Sequence, residues 1–171
     1  KYRTGEAHQL RLAFEEVTGQ DLNWFFNQWF FKSGHPELEI TKQYNEATRT
    51  VDITVKQTQD YKRSAMYILP FAIDVYTTKI GTPIRENVLM TEQEQTFSIY
   101  TGAEPIWVGV DAERVILSKR KYEQSNEELI NQYRLSPRYQ NRYEALKKLR
   151  YSQKGKPEIQ KVFAEAIKDP F

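Results

Sequence analysis

Apolar positions along the chain change period twice. In the first stretch Leu10, Ala13, Phe14 and Val17 recur at i, i+3, i+4, i+7, the spacing of one helix face. Thr18-Gly19 closes that helix, because glycine accepts the left-handed conformation of a C-cap. Asp21 is placed to cap a second helix. There Leu22, Phe25, Phe26 and Trp29 form one stripe, with Trp24 and Phe31 roughly opposite. Gly34 stops it and Pro36 prevents continuation. Period two then takes over: Leu38 and Ile40, then Val51, Ile53 and Val55, then Leu69, Phe71, Ile73 and Val75, alternate with other residues. "NEATR" reads as a turn between the first two runs, and Pro70 argues for an edge strand or a bulge. Shorter strand candidates follow at 88–90, 97–100, 106–110 and 115–117. With no helices between them, they predict an antiparallel β-sandwich.

The helical period returns at Ser125, where "SNEE" is a capping box with Glu128 at its third position. Leu129, Ile130 and Tyr133 are predicted to face inward. Ser136-Pro137 restarts a helix whose inward set is Tyr139, Tyr143, Leu146 and Leu149. A last helix from Pro157 places Ile159, Val162, Phe163, Ala166 and Ile167 on one side. These short helices suit either the beginning of a stacked helical array or a three-helix cap. The predicted class is thus α+β and multidomain: a short helical segment, a sandwich, then helical hairpins. The domain boundaries are 1–36, 37–122 and 123–171.

Composition narrows the chemistry. The chain has 171 residues, 28% charged, with a net charge of +2, which predicts a soluble folded protein and gives no reason to expect a nucleic acid or an acidic substrate. Cysteine is absent, which excludes disulfides and thiolate chemistry. No apolar run approaches the roughly 18 residues of a spanning helix, and no signal peptide is visible. The compartment is left open. The opening on Lys1 rather than Met reads as the interior of a longer polypeptide.

Candidate site chemistry is sparse. His8 and His35 are the only histidines and do not form a His-x-x-x-His pair. His35, between Gly34 and Pro36, reads as a turn residue, and His8 with Glu6 nearby supplies one ligand where catalytic zinc takes about three from the protein. Glu15 and Glu16 fall on the exposed side of the first helix. Gly102, Gly109 and Gly155 are isolated and form no phosphate loop. Lys147, Lys148 and Arg150 are a short basic run without a groove to serve. No catalytic, cofactor-binding or metal-binding residue is assigned. Six of the eight residues Trp24 to Phe31 are aromatic and none is charged. Burial between a helical body and a sheet is the favoured reading. A membrane-surface helix wants a charged opposite face, and a sugar or peptide platform wants exposed rings.

The segment "LRLAFEEVTGQDLNWFFNQWFFKSGHPELEI" resembles the end of the catalytic domain in zinc aminopeptidases of the aminopeptidase N and leukotriene A4 hydrolase type. The matching positions are Glu15, Thr18, Gly19, Asp21, Leu22, Phe25, Phe26, Trp29, Gly34 and Pro36. "VDITVKQTQ", with Gln57 and Gln59, "YILPFAIDV" and "EPIWVGVDAERVIL" are similar to strands of that family's small sandwich. Asp111-Ala112 stands where many members have Asp-Pro. The stretch from Asn126 resembles the entry to its helical-repeat domain, with Arg142, Ala145 and Leu149 at packing positions. The resemblance implies a parent that removes N-terminal amino acids from peptides with zinc. The family's His-Glu-x-x-His helix, later glutamate ligand and Gly-Ala-Met-Glu-Asn loop have no counterpart here. Tyr2 lacks the motif around the family's transition-state tyrosine and is not assigned that role. The implied cofactors are none in this chain and zinc in the parent. The implied partners are the catalytic domain, the rest of the helical domain and, for the parent, a peptide. The implied role is a non-catalytic spacer that positions the helical domain over the active-site cleft. The alternatives are an adhesion or scaffold sandwich, signalled by exposed rings beside Trp107, and a parent that has lost its zinc site.

Overall fold

The computed structural model describes residues 4–152 and 156–169. Tyr2 and Gly155 lie outside the described residues. Helix α1 is Ala7–Thr18 and α2 is Asn23–Trp29. Gly19 ends α1 in the left-handed conformation at φ 67°, donating its N–H to Glu15 O, as the sequence predicts. Asp21 does not occupy the N-cap of α2. Leu22 does, while Asp21 Oδ1 accepts from Asn23 N at 2.8 Å. Helix α2 stops at Trp29, several residues before Gly34. Gly34 is nonetheless left-handed at φ 94°, and a Cβ there would lie 2.4 Å from Ser64 Oγ.

Seven strands follow: β1 Glu37–Asn45, β2 Thr50–Gln57, β3 Leu69–Tyr76, β4 Ile84–Met90, β5 Glu94–Tyr100, β6 Trp107–Val110 and β7 Lys119–Tyr122. They form two sheets, ordered β5-β2-β1-β7 and β4-β3-β6. The alternating residues face each other between the sheets. Ile40, Ile53 and Val55 meet Phe71, Ile73, Val75, Val108 and Val110 in one buried core. Pro70 pairs with Leu89 of β4 at the end of β3, where β6 does not reach. Its missing N–H is therefore tolerated at a local edge.

The sandwich differs from expectation at its last strand. Residues 115–117 form no strand. The strand is β7, "KRKY", and it runs parallel to β1. Lys119 and Lys121 stand opposite Glu37 and Glu39 and pair with them at 2.8 and 2.6 Å. Arg120 and Tyr122 turn inward instead: Arg120 reaches Val110 O at 2.8 Å and Tyr122 Oη donates to Val108 O. Two polar side chains thus serve carbonyls of the short strand β6.

Helix α3 is Asn126–Leu135, α4 is Tyr139–Leu149, a 3-10 turn spans Arg150–Ser152, and α5 is Pro157–Ala166. Both halves of the Ser125/Glu128 capping box form. A second core joins these helices through Leu129, Ile130, Tyr133, Ala145, Leu149, Ile159 and Val162. Tyr139 and Tyr143 are exposed, contrary to expectation, and stack on each other at 6.0 Å. The inward face of α4 is carried by Asn141, Ala145 and Leu149 instead. Ile167 is also exposed, because α5 ends just before it. Ser136 does not cap α4. It closes α3, and Arg138 holds the N-cap position.

Candidate functional site

The aromatic helix α2 is fastened to the sandwich on one side. Phe26 is buried and stacks on Phe30 at 4.6 Å, and Trp29 lies against Tyr67 at 5.2 Å. The firmer attachment is polar. Gln28 donates from Nε2 to Ile68 O at 2.8 Å and accepts from Ile68 N at 2.7 Å. On the neighbouring residue Gln57, wholly buried, donates to Tyr67 O at 2.8 Å and accepts from Tyr67 N at 2.9 Å. Gln59 donates to Gln57 Oε1 and to Ala65 O. A buried amide without partners costs about 1–3 kcal/mol, so these glutamines fix the chain where β3 begins. The resemblance drew attention to Gln57 and Gln59, but nothing in the spacing pointed to Gln28.

The other side of α2 and all of α1 are uncovered. Trp24, Phe25, Phe30 and Phe31 are exposed, so the expected burial of this helix on most sides does not occur within the chain. On α1, Leu10, Phe14 and Val17 are exposed and no residue is buried. Glu15 is the correction on this helix. It is not a solvated acid but accepts from Arg11 and from Leu22 N, both at 2.8 Å, joining α1 to the start of α2. Beside α2 lies an apolar groove of about 300 Å³ lined by Phe25, Trp29, Leu69, Pro70, Val115 and Leu117, among others. The Val115–Leu117 segment, a strand by its sequence pattern alone, is one wall of this groove.

At the far end the sandwich meets the helices through hydrogen bonds. Asn141 of α4 donates to Ala112 O at 3.1 Å and to Ser136 Oγ at 3.0 Å. Its Oδ1 accepts from Arg114, which also pairs with Glu144. Asn131 of α3 donates to Ile106 O, Lys42 of β1 pairs with Glu128, and Gln132 donates to Asn141 O at 2.8 Å. Lys148 donates to Tyr122 O at 3.0 Å and to Gln124 at 3.1 Å, and burial lowers its pKa. The basic run is thereby split, with Lys148 turned into the joint and Arg150 lying over the Tyr151 ring at 4.5 Å. Beneath the joint Asp111 accepts from Val115 N and Ile116 N and pairs with Arg120 at 3.3 Å. Burial raises the Asp111 pKa despite these partners and lowers that of Arg120. Burial likewise raises the Tyr122 phenol.

The remaining sequence candidates do not converge. His8 Nδ1 lies 3.2 Å from Glu6, and His35 Nε2 lies 3.8 Å from Glu37. Among the described residues no group of three or more His, Asp or Glu could hold a metal ion, so these residues do not fit a zinc centre. Gly102 is a left-handed turn residue, and Gly109 leaves room for the Trp107 ring. Trp107 itself is buried and stacks on Tyr76 at 4.9 Å, which removes the exposed ring that an adhesion surface would need there. Among the described residues no helix is long and apolar enough to cross a membrane.

No protein-family model matches the chain. It is similar in sequence to two bacterial aminopeptidases N and in fold to an aminopeptidase A. Aminopeptidase N of Escherichia coli K12 is 30% identical over 97 residues, covering 50% of this chain and 11% of that protein. Aminopeptidase N of Haemophilus influenzae Rd is 29% identical over 100 residues, covering 52% of this chain and 11% of that protein. The chain thus spans about a tenth of the length of the curated relatives it matches. A crystal structure of Legionella pneumophila aminopeptidase A in complex with aspartic acid shares the fold. It has a TM-score of 0.74 at 21% identity, and the match covers 96% of this chain and 20% of that one.

Proposed function

We propose that this chain is a non-catalytic part of a zinc-dependent aminopeptidase that removes N-terminal amino acids from peptides. Residues 1–36 would end the catalytic domain, 37–122 form its sandwich and 123–171 begin its helical domain. The sandwich then acts as a spacer: the apolar side of α1 and α2 packs on the rest of the catalytic domain, while the polar joint sets the direction of the helices over the cleft. Zinc and the peptide belong to the parent, and no residue here takes part in the reaction. The observation that carries this proposal is the uncovered apolar face of α1 and α2, continuous with the groove beside Leu117.

The test compares one substitution in two settings. Phe31→Asp in the isolated chain should leave its unfolding free energy within about 1 kcal/mol, because the ring is exposed there. In the longer parent the same change buries an unpaired charge and should destabilise by several kcal/mol. Equal small effects in both settings would remove the proposed contact. For the spacer role, deleting the sandwich and helices from the parent should change its selectivity for peptide length. Unchanged selectivity would refute it.

A further inference from the structure

The polar joint borders a second, much smaller space. It is a partly open pocket of about 20 Å³ whose walls include Trp107, Gly109, Arg120, Gln132, Asn141 and Glu144. A single water needs roughly 10–15 Å³ of such volume, so this space has room for one. Trp107 is 2% exposed, and its indole N–H is buried without a hydrogen-bond partner. Gly109 contributes to the ring's placement: a Cβ there would lie 3.1 Å from two ring carbons of Trp107.

We propose that this pocket binds one ordered water, which accepts from Trp107 Nε1–H and donates to oxygens of the α3–α4 wall. The acceptors exist on that wall. Gln132 Oε1 accepts from Gln124 at 2.9 Å and, as an amide oxygen, has a second lone pair. Glu144 offers carboxylate oxygens beside Arg114. A metal cation would face the indole donor and the guanidinium of Arg120, and an anion would face the Glu144 carboxylate. Water alone satisfies donors and acceptors together, at a small entropic cost of about 0–2 kcal/mol. The bound water bridges β6 of the sandwich to the helices.

The indole N–H resonances of the uniformly ¹⁵N-labelled chain test this. Trp107 is distinguished by its contacts with the Tyr76 ring and by Trp24→Phe, which removes a competing signal from a half-exposed residue. Water-selective experiments should give a Trp107 Nε1–H cross-peak of opposite sign in the NOE and ROE spectra, the signature of a held water. No such cross-peak, or same-sign peaks from proton exchange alone, would overturn the proposal. This outcome is independent of whether the parent is a peptidase.

Discussion

Helices flank the sandwich at both ends, and the two flanks are attached in opposite ways. At the C-terminal end α3 buries Leu129, Ile130 and Tyr133 against α4 and α5, and meets the sandwich through side-chain hydrogen bonds. At the N-terminal end α1 has an equally regular apolar stripe, yet buries none of it. An amphipathic pattern therefore announces that a helix has a partner, without saying where the partner is. Polar bonds say more, because they need fixed geometry: Gln28 marks where α2 must sit, and Asn141 marks where α4 must sit.

The contrast can be broken by substitution. The core between the sheets should respond most. Ile53 is fully buried, and Ile53→Ala should cost about 2–5 kcal/mol in denaturant unfolding. Next comes the polar joint. Asn141→Ala deprives Ala112 O of its side-chain donor and Ser136 Oγ of one of two donors, and should cost about 1–3 kcal/mol. The N-terminal flank should respond least, with Phe14→Ser changing the stability of the isolated chain by about 0.5 kcal/mol or less. A loss as large as that at Ile53 would show that α1 is covered in solution.

A smaller effect concerns pH. Glu165 is held below its ordinary value of 4.5 mainly by its hydrogen bonds to Arg134, with a further contribution from their charge attraction. A carboxylate lowered in the folded state contributes stability above its unfolded pKa and loses it as pH falls through the folded value. The α3–α5 contact should therefore weaken below pH 4.5, modestly, because the pair lies at the surface. Glu165→Gln should flatten that part of a melting-temperature profile. An unchanged acid limb would assign the effect to other groups.

Much of the fold was legible because its core side chains are apolar and regularly spaced. Val51, Ile53 and Val55 could occupy one face only as a strand. The failures share a cause: the deciding atoms were polar. Strand β7 was missed because its inward residues are Arg120 and Tyr122, which bond β6 carbonyls where a hydrophobic pattern was sought. The sequence puts Glu15 in solvent because nothing local shows that Leu22 N needs an acceptor. Size alone points Tyr139 and Tyr143 inward, although small Ala145 is the residue that lets α4 approach its neighbours. Of the candidate site, the aromatic face was visible in the sequence, but the groove was not, since it joins Phe25 to Leu117 across ninety-two positions of chain.

The Gln28 clamp has a consequence for sequence variation. It grips Ile68 by the peptide N–H and C=O alone. Any amino acid but proline offers the same two atoms, so position 68 can drift in relatives while position 28 stays a glutamine. A pairwise comparison would then score the anchored residue as variable, and the lock between helix and sandwich would leave its record on one partner only.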